Sequence, residues 1–301
     1  AGTCSEGCAA MFQWLRSRPS PCCESGFGPL TDAASAELRG SFEDLGAGLR
    51  LYITGPEKAD CAIIMCSDIF GFNTGHHLWH SDTLAERCGA IVVCPDFFHG
   101  QAPLWEAPRQ GLAFIPNILR RMPRALWLCR YVTWPQIRRD LEQVFALLRR
   151  RHGVAKVAML GFCWGAYPVF KASGDPEFAP HFLVAGANAH PSVHLVAPLQ
   201  GDVPAQQLAG RVRCPQLVLA SRGEPGAWRP GGAVERLVRG LAGGVGPPSD
   251  FRLFAGARHG FVSRGDLGQP GVRRDVALAM DAIAAFLSER LGAPAAPASR
   301  L

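Results

Sequence analysis

The residues with the most evident chemistry are Gly161-Phe162-Cys163-Trp164-Gly165, between the apolar run 156–160 (KVAML) and a stretch of helical spacing. G-x-C-x-G in that setting is the nucleophile-elbow pattern with cysteine in place of serine. It is a sharp strand-to-helix turn whose crowding excludes Cβ atoms at the glycines and whose central residue is strained and exposed. A cysteine there meets the unpaired amides and positive dipole of a helix start, which favour thiolate; the alternative is a buried structural cysteine in a Gly-rich turn. A thiolate attacking a carbonyl needs a base, and the base needs an orienting acid, in the chain order nucleophile, acid, histidine. His259, in Ala257-Arg258-His259-Gly260-Phe261, follows the last strand candidate and precedes the C-terminal helix candidate. Glu224, in Ser221-Arg222-Gly223-Glu224-Pro225, follows the run 216–221, whereas Asp202 precedes it and is badly placed. The segment Ser67-Asp68-Ile69-Phe70-Gly71 follows another strand candidate and offers a second oxyanion amide to complement that of Trp164. Asp68 is an acid inside an apolar stretch, where a carboxylate without a role is expensive. It either serves the site or caps nearby loop amides. His190, after the run 183–188, either reaches the pocket mouth or is a structural loop histidine.

The elements that must carry these residues are strands alternating with helices. Strand candidates are 49–54, 61–67, 90–94, 156–160, 183–188, 216–221 and 250–254; helical stretches are 78–88, 136–151, 164–173, 232–241 and 271–291. The runs 61–67, 90–94, 156–160 and 216–221 are continuous rather than alternating, as strands covered on both faces are. Strand–helix alternation predicts an α/β fold with a mostly parallel sheet and helices on both faces. Residues 1–40 read as an irregular arm that starts without Met, as a processed or truncated chain does. Residues 41–291 read as a single domain and 292–301 as a flexible Ala/Pro tail. The segment 102–135, with five prolines, reads as an excursion over the sheet's edge or mouth.

Over 301 residues, 48% hydrophobic and 19% charged composition is that of a soluble globule with a large core, which excludes disorder. No window of about 18 unbroken apolar residues is present, which excludes a membrane helix. The net charge of +6 is spread over scattered arginines, so nucleic-acid binding is unsupported while an anionic small substrate is compatible. Eleven cysteines without a C-x-x-C pair point to a reducing, cytoplasmic setting, with Cys61, Cys66 and Cys94 acting as small hydrophobes in strands. The final Ser299-Arg300-Leu301 is a conservative variant of the S-K-L peroxisomal address. His76-His77-x-x-His80 has metal-like spacing but lacks the glutamate of H-E-x-x-H, and solvated helix-start histidines are the expectation. No phosphate loop is present, and neither a metal nor a cofactor is expected.

Four motifs together, D-I-F-G-F from Asp68, Cys94-Pro95-Asp96-Phe97, G-F-C-W-G and H-G-F-V, resemble the dienelactone hydrolase family of α/β-hydrolases from about residue 49 to 290. Pro21-Cys22-Cys23 and Ala189-His190-Pro191-Ser192 resemble its eukaryotic and fungal-type branch. The resemblance implies the α/β-hydrolase fold and cofactor-free hydrolysis of lactones or esters. Cys163 would be the nucleophile and His259 the base, with the Ile69 and Trp164 amides as the oxyanion hole. Two departures stand out. Glu224 replaces the family's triad aspartate. Asp68, with Phe70 beside it, replaces a glutamate that holds the resting thiol. Arg264 lies near the place of an arginine that binds a substrate carboxylate. The expected partner is thus a small ester or lactone. An acyl-thioesterase and a catalytically silent binding protein of the same fold are the alternatives, and the sequence leaves the oligomeric state open.

Overall fold

The computed structural model describes residues 37–102, 132–241 and 249–293. Cys4, Cys8, Cys22-Cys23, most of the Pro-rich segment and Ser299-Arg300-Leu301 lie outside the described residues. An eight-stranded sheet organises the rest. Its strands are β1 (Ser41–Asp44), β2 (Arg50–Thr54), β3 (Cys61–Cys66), β4 (Ile91–Pro95), β5 (Lys156–Phe162), β6 (Leu183–Ala189), β7 (Gln216–Ser221) and β8 (Asp250–Phe254). Their order is β1-β2-β4-β3-β5-β6-β7-β8. β2 runs antiparallel to β1 and β4, and every other pair is parallel. The seven expected strands are present; β1 is a short addition whose polar residues give no alternating signal.

The pattern of burial follows the position in the sheet. β3, β4 and β7 are buried at every residue, which explains why their apolar residues do not alternate with polar ones, while the edge strands β1 and β8 are largely open. On one face α1 (His77–Cys88) packs with the C-terminal helix. On the other lie α2 (Trp134–His152) and α3 (Ala166–Gly174), followed in the chain by α4 (Val193–Leu199), α5 (Ala205–Ala209) and α6 (Ala233–Leu241). The short α7 (Phe261–Arg264) leads into the C-terminal α8 (Pro270–Leu291). Val276, Met280, Ile283 and Leu287 form the buried stripe of α8, each contributing about 1.5–3 kcal/mol by burial. Proline opens α2 and α8, and left-handed glycines, Gly153 and Gly292, close them. Among the described residues no helix is long and apolar enough to cross a membrane.

Candidate active site

β5 lies mid-sheet between β3 and β6, so the turn at its C-terminal end opens at the centre of the sheet's carboxyl edge. In open parallel sheets ligands bind beyond that edge. Cys163 begins a 3₁₀ turn, Cys163–Gly165, that feeds α3. Its φ is +53°, a conformation costing a non-glycine residue about 1 kcal/mol or more. The flanking glycines show why the turn persists. A Cβ on Gly161 would strike the Gly165 carbonyl, and one on Gly165 would strike the Cys66 carbonyl. The backbone therefore closes too tightly for any other residue, and the strain stays at Cys163. The thiol is buried.

The loops after β7 and β8 bring in the next two groups. His259 Nδ1 lies 2.6 Å from Glu224 Oε1, and both side chains are buried. The other carboxylate oxygen accepts the Ser221 amide. Arg229 fixes the Glu224 turn by donating to the carbonyls of Glu224 (3.0 Å) and Arg222 (2.6 Å). Burial pushes the Glu224 carboxyl up, but the hydrogen bond and charge of His259, with the Ser221 contacts, outweigh it and hold the group below its ordinary value. Glu224 is thus ionised, Nδ1 of His259 donates, and Nε2 faces the elbow. There Ser192 Oγ is 3.4 Å from Nε2 and 3.4 Å from Cys163 Sγ.

The loop after β3 lies alongside. Among the described residues, neither the Ile69 nor the Trp164 amide has an acceptor outside its own element. Asp68 Oδ1 accepts the Phe70 amide at 3.0 Å, and Oδ2 accepts Ser263 Oγ at 3.0 Å and Arg264 Nη1 at 3.4 Å. The acid therefore caps its own loop and ties it to α7. The 3.8 Å approach of His77 Nε2 to Asp68 is not an ion pair, because that nitrogen accepts the Asp68 amide while Nδ1 donates to the Thr74 carbonyl. Arg264 is buried, bonded also to Thr74 Oγ1 (3.2 Å), with its guanidinium 4.1 Å from the Phe70 ring centre. Its Nη1 serves Asp68 and the fold; Nη2 has no partner among the described residues.

The sequence model of the dienelactone hydrolase family matches residues 49–289. The chain belongs to the dienelactone hydrolase family. It is 30% identical over 135 residues to a carboxymethylenebutenolidase homolog of Xenopus tropicalis, covering 41% of this chain and 49% of that one. A mouse protein of the same description is 24% identical over 217 residues, or 72% of this chain and 77% of its own. Among solved structures, Est1E from Butyrivibrio proteoclasticus superposes with a TM-score of 0.53 at 12% identity, over 84% of this chain and 99% of that one. The fold is that of the α/β-hydrolases.

In this family member one open alternative narrows and one expectation needs correction. Of the two readings of His190, its burial favours the structural one. The residue is fully buried with φ +41°, its ring 5.0 Å from that of His259, packed also on Phe162 and Phe261. Burial, then the neighbouring His259 and His77, pull it well below the usual imidazole range. His77 and His80 are not solvated but wholly buried. His76 and His80 Nε2 meet the carbonyls of Gly265 and Val262, each at 2.8 Å, pinning the α7 turn behind the site. The three rings point to different acceptors rather than to one metal. Asp202 pairs instead with Lys171 (2.7 Å) and Tyr167 (2.9 Å). Sequence reasoning gave no role to Ser192, quoted only within the Ala189–Ser192 motif, or to the half-buried His194; their signal was position, at the carboxyl end of β6.

Proposed function

We propose that this chain is a cofactor-independent hydrolase of activated esters or lactones, with Cys163 as nucleophile, His259 as base and Glu224 as orienting acid. The observation that carries the proposal is the 2.6 Å contact between His259 Nδ1 and Glu224 Oε1 beside an elbow cysteine held at positive φ. Family membership and the relatives described as carboxymethylenebutenolidase homologs support the lactone half of the reading.

In the acylation step Cys163 Sγ⁻ adds to the carbonyl carbon, and the oxyanion is received by the Ile69 and Trp164 amides. Collapse expels the alcohol or enol oxygen, which takes the proton from His259 and leaves a thioester. Water, deprotonated by His259, then attacks the thioester and releases the acid and the thiol. Glu224 holds the Nδ1–H tautomer through both steps and offsets the imidazolium charge. Thiolate is a better leaving group than an alkoxide or amide ion, so alkyl esters and amides revert whereas enol-lactones and aryl esters go forward. Glu224, one methylene longer than the family's aspartate, reaches Nδ1 of His259, which supports a working triad over the alternative of a catalytically silent protein of the same fold.

The test is hydrolysis of 4-nitrophenyl acetate and an enol-lactone by the wild type and by Cys163→Ala. Activity lost in the variant supports the proposal; wild type and variant equally inert on both substrates would sink it.

A further inference from the structure

The reaction as written leaves one polar side chain between nucleophile and base without a task. Ser192 Oγ lies 3.4 Å from both Cys163 Sγ and His259 Nε2, and the residue is buried. Its backbone is fixed to the elbow. The Ser192 amide donates to the Cys163 carbonyl at 3.0 Å, and the Ser192 carbonyl accepts the Leu195 and Val196 amides at 2.9 and 3.0 Å. The hydroxyl is therefore held by the same backbone that holds the thiol.

The direction of the hydrogen bonds follows from the neighbours. Nδ1–H of His259 is committed to ionised Glu224, so Nε2 is an acceptor. The Ser192 proton then turns toward Nε2 and an oxygen lone pair toward Sγ–H. The 3.4 Å oxygen-to-nitrogen distance is long for a hydrogen bond, as catalytic contacts often are before substrate tightens them. Asp68, in the place of the family's thiol-holding glutamate, has both oxygens occupied by Phe70, Ser263 and Arg264. Titratable groups around His259 among the described residues include Glu224, His190 and His194. Burial keeps both flanking imidazoles neutral, His194 being drawn down to about 4.

We propose that Ser192 is the relay that carries the thiol proton of Cys163 to His259. The S–H bond breaks as its proton passes to Ser192 Oγ, and the hydroxyl's own proton passes to Nε2. Thiolate and imidazolium result, and the serine is regenerated without any other reactant. Once Sγ carries the acyl group it has no proton to give, and thiolate departs from the second intermediate without one; the relay therefore speeds acylation, and in deacylation it only returns the His259 proton to Sγ after the bond has broken. The inference rests on the hydrolase reading, with Cys163 as nucleophile.

Ser192→Ala removes one buried oxygen and leaves the backbone bond to Cys163; Ser192→Thr keeps the hydroxyl. Acylation is read as the first-turnover release of 4-nitrophenol from 4-nitrophenyl acetate, deacylation as the later steady rate, and the thiol directly as the pH dependence of Cys163 alkylation by iodoacetamide. Ser192→Ala is expected to slow acylation tenfold or more and deacylation less than threefold, and to move the alkylation profile to higher pH. Ser192→Thr should recover most of the acylation rate. Unchanged acylation and alkylation in Ser192→Ala overturn the relay, as does an equal loss in both phases that Ser192→Thr does not restore. If the wild type itself shows no Cys163-dependent release, the hydrolase reading fails instead. The alkylation profiles, which need no hydrolysis, then still decide whether Ser192 acts on the thiol.

Discussion

Replacing Glu224 by glutamine keeps the size of the side chain and removes its charge. The structure offers the amide no good orientation. With its oxygen on His259 Nδ1–H, its NH2 faces the Ser221 amide, donor against donor. Reversed, the NH2 faces Nδ1 and drives the ring proton to Nε2, the atom that must accept it. The first orientation leaves a buried donor unpaired, costing about 1–3 kcal/mol of stability; the second satisfies both contacts but puts the base in the wrong tautomer. The larger effect is on the imidazolium. Charges about 4 Å apart at an effective dielectric near 20 attract by about 4 kcal/mol, and losing that from the barrier is close to a thousandfold in rate. Acylation by 4-nitrophenyl acetate at pH 7, followed as the first-turnover release of 4-nitrophenol, measures the rate. A urea midpoint measures the stability. A loss smaller than tenfold in a folded Glu224→Gln, or an equally large loss in Asp68→Asn, would refute the assignment of Glu224 as the orienting acid. Glu224→Asp withdraws the carboxylate by about one C–C bond, ~1.5 Å. The 2.6 Å contact then opens and the rate is expected to fall at least tenfold.

Other consequences are equally direct. Gly165→Ala forces a Cβ into the Cys66 carbonyl, so the variant should lose about 3 kcal/mol or more by urea denaturation or fail to fold. Arg264→Met strips a buried cation from Asp68 and should cost about 3–5 kcal/mol; because that guanidinium is engaged with Asp68, kcat/KM for a carboxylated and a neutral aryl ester should fall in parallel, and a selective loss on the carboxylated ester would contradict this. His77, His80, His190 and His194 are all drawn below their ordinary value by burial, His80 to about 3. Their contribution is complete above the unfolded value near 6.5 and is lost as pH falls toward the folded values, at up to about 1.4 kcal/mol per pH unit for each. Urea midpoints between pH 7 and 5 should fall steeply, and His80→Gln should flatten the slope. Glu224, held low, adds stability that is complete above about 4.5 and disappears on further acidification through its folded value.

The sheet was legible because its signal is local: strands covered on both faces carry apolar residues without alternation, as in 61–66 and 217–220. The elbow was legible for a related reason, since only glycine tolerates the approach of Gly161 to Gly165 and of Gly165 to Cys66. Chain order after each strand was enough to nominate Cys163, Glu224 and His259, because successive parallel strands deliver their loops to the same edge. What no spacing contains is how side chains from different loops turn toward one another. Arg264 meets Asp68 across 196 positions of chain, His80 meets Val262 across 182, and Ser192 stands between two residues 29 and 67 positions away. Those partners are chosen by burial. A polar group removed from water takes whatever donor or acceptor the packed interior offers, and only the tertiary structure says which one that is.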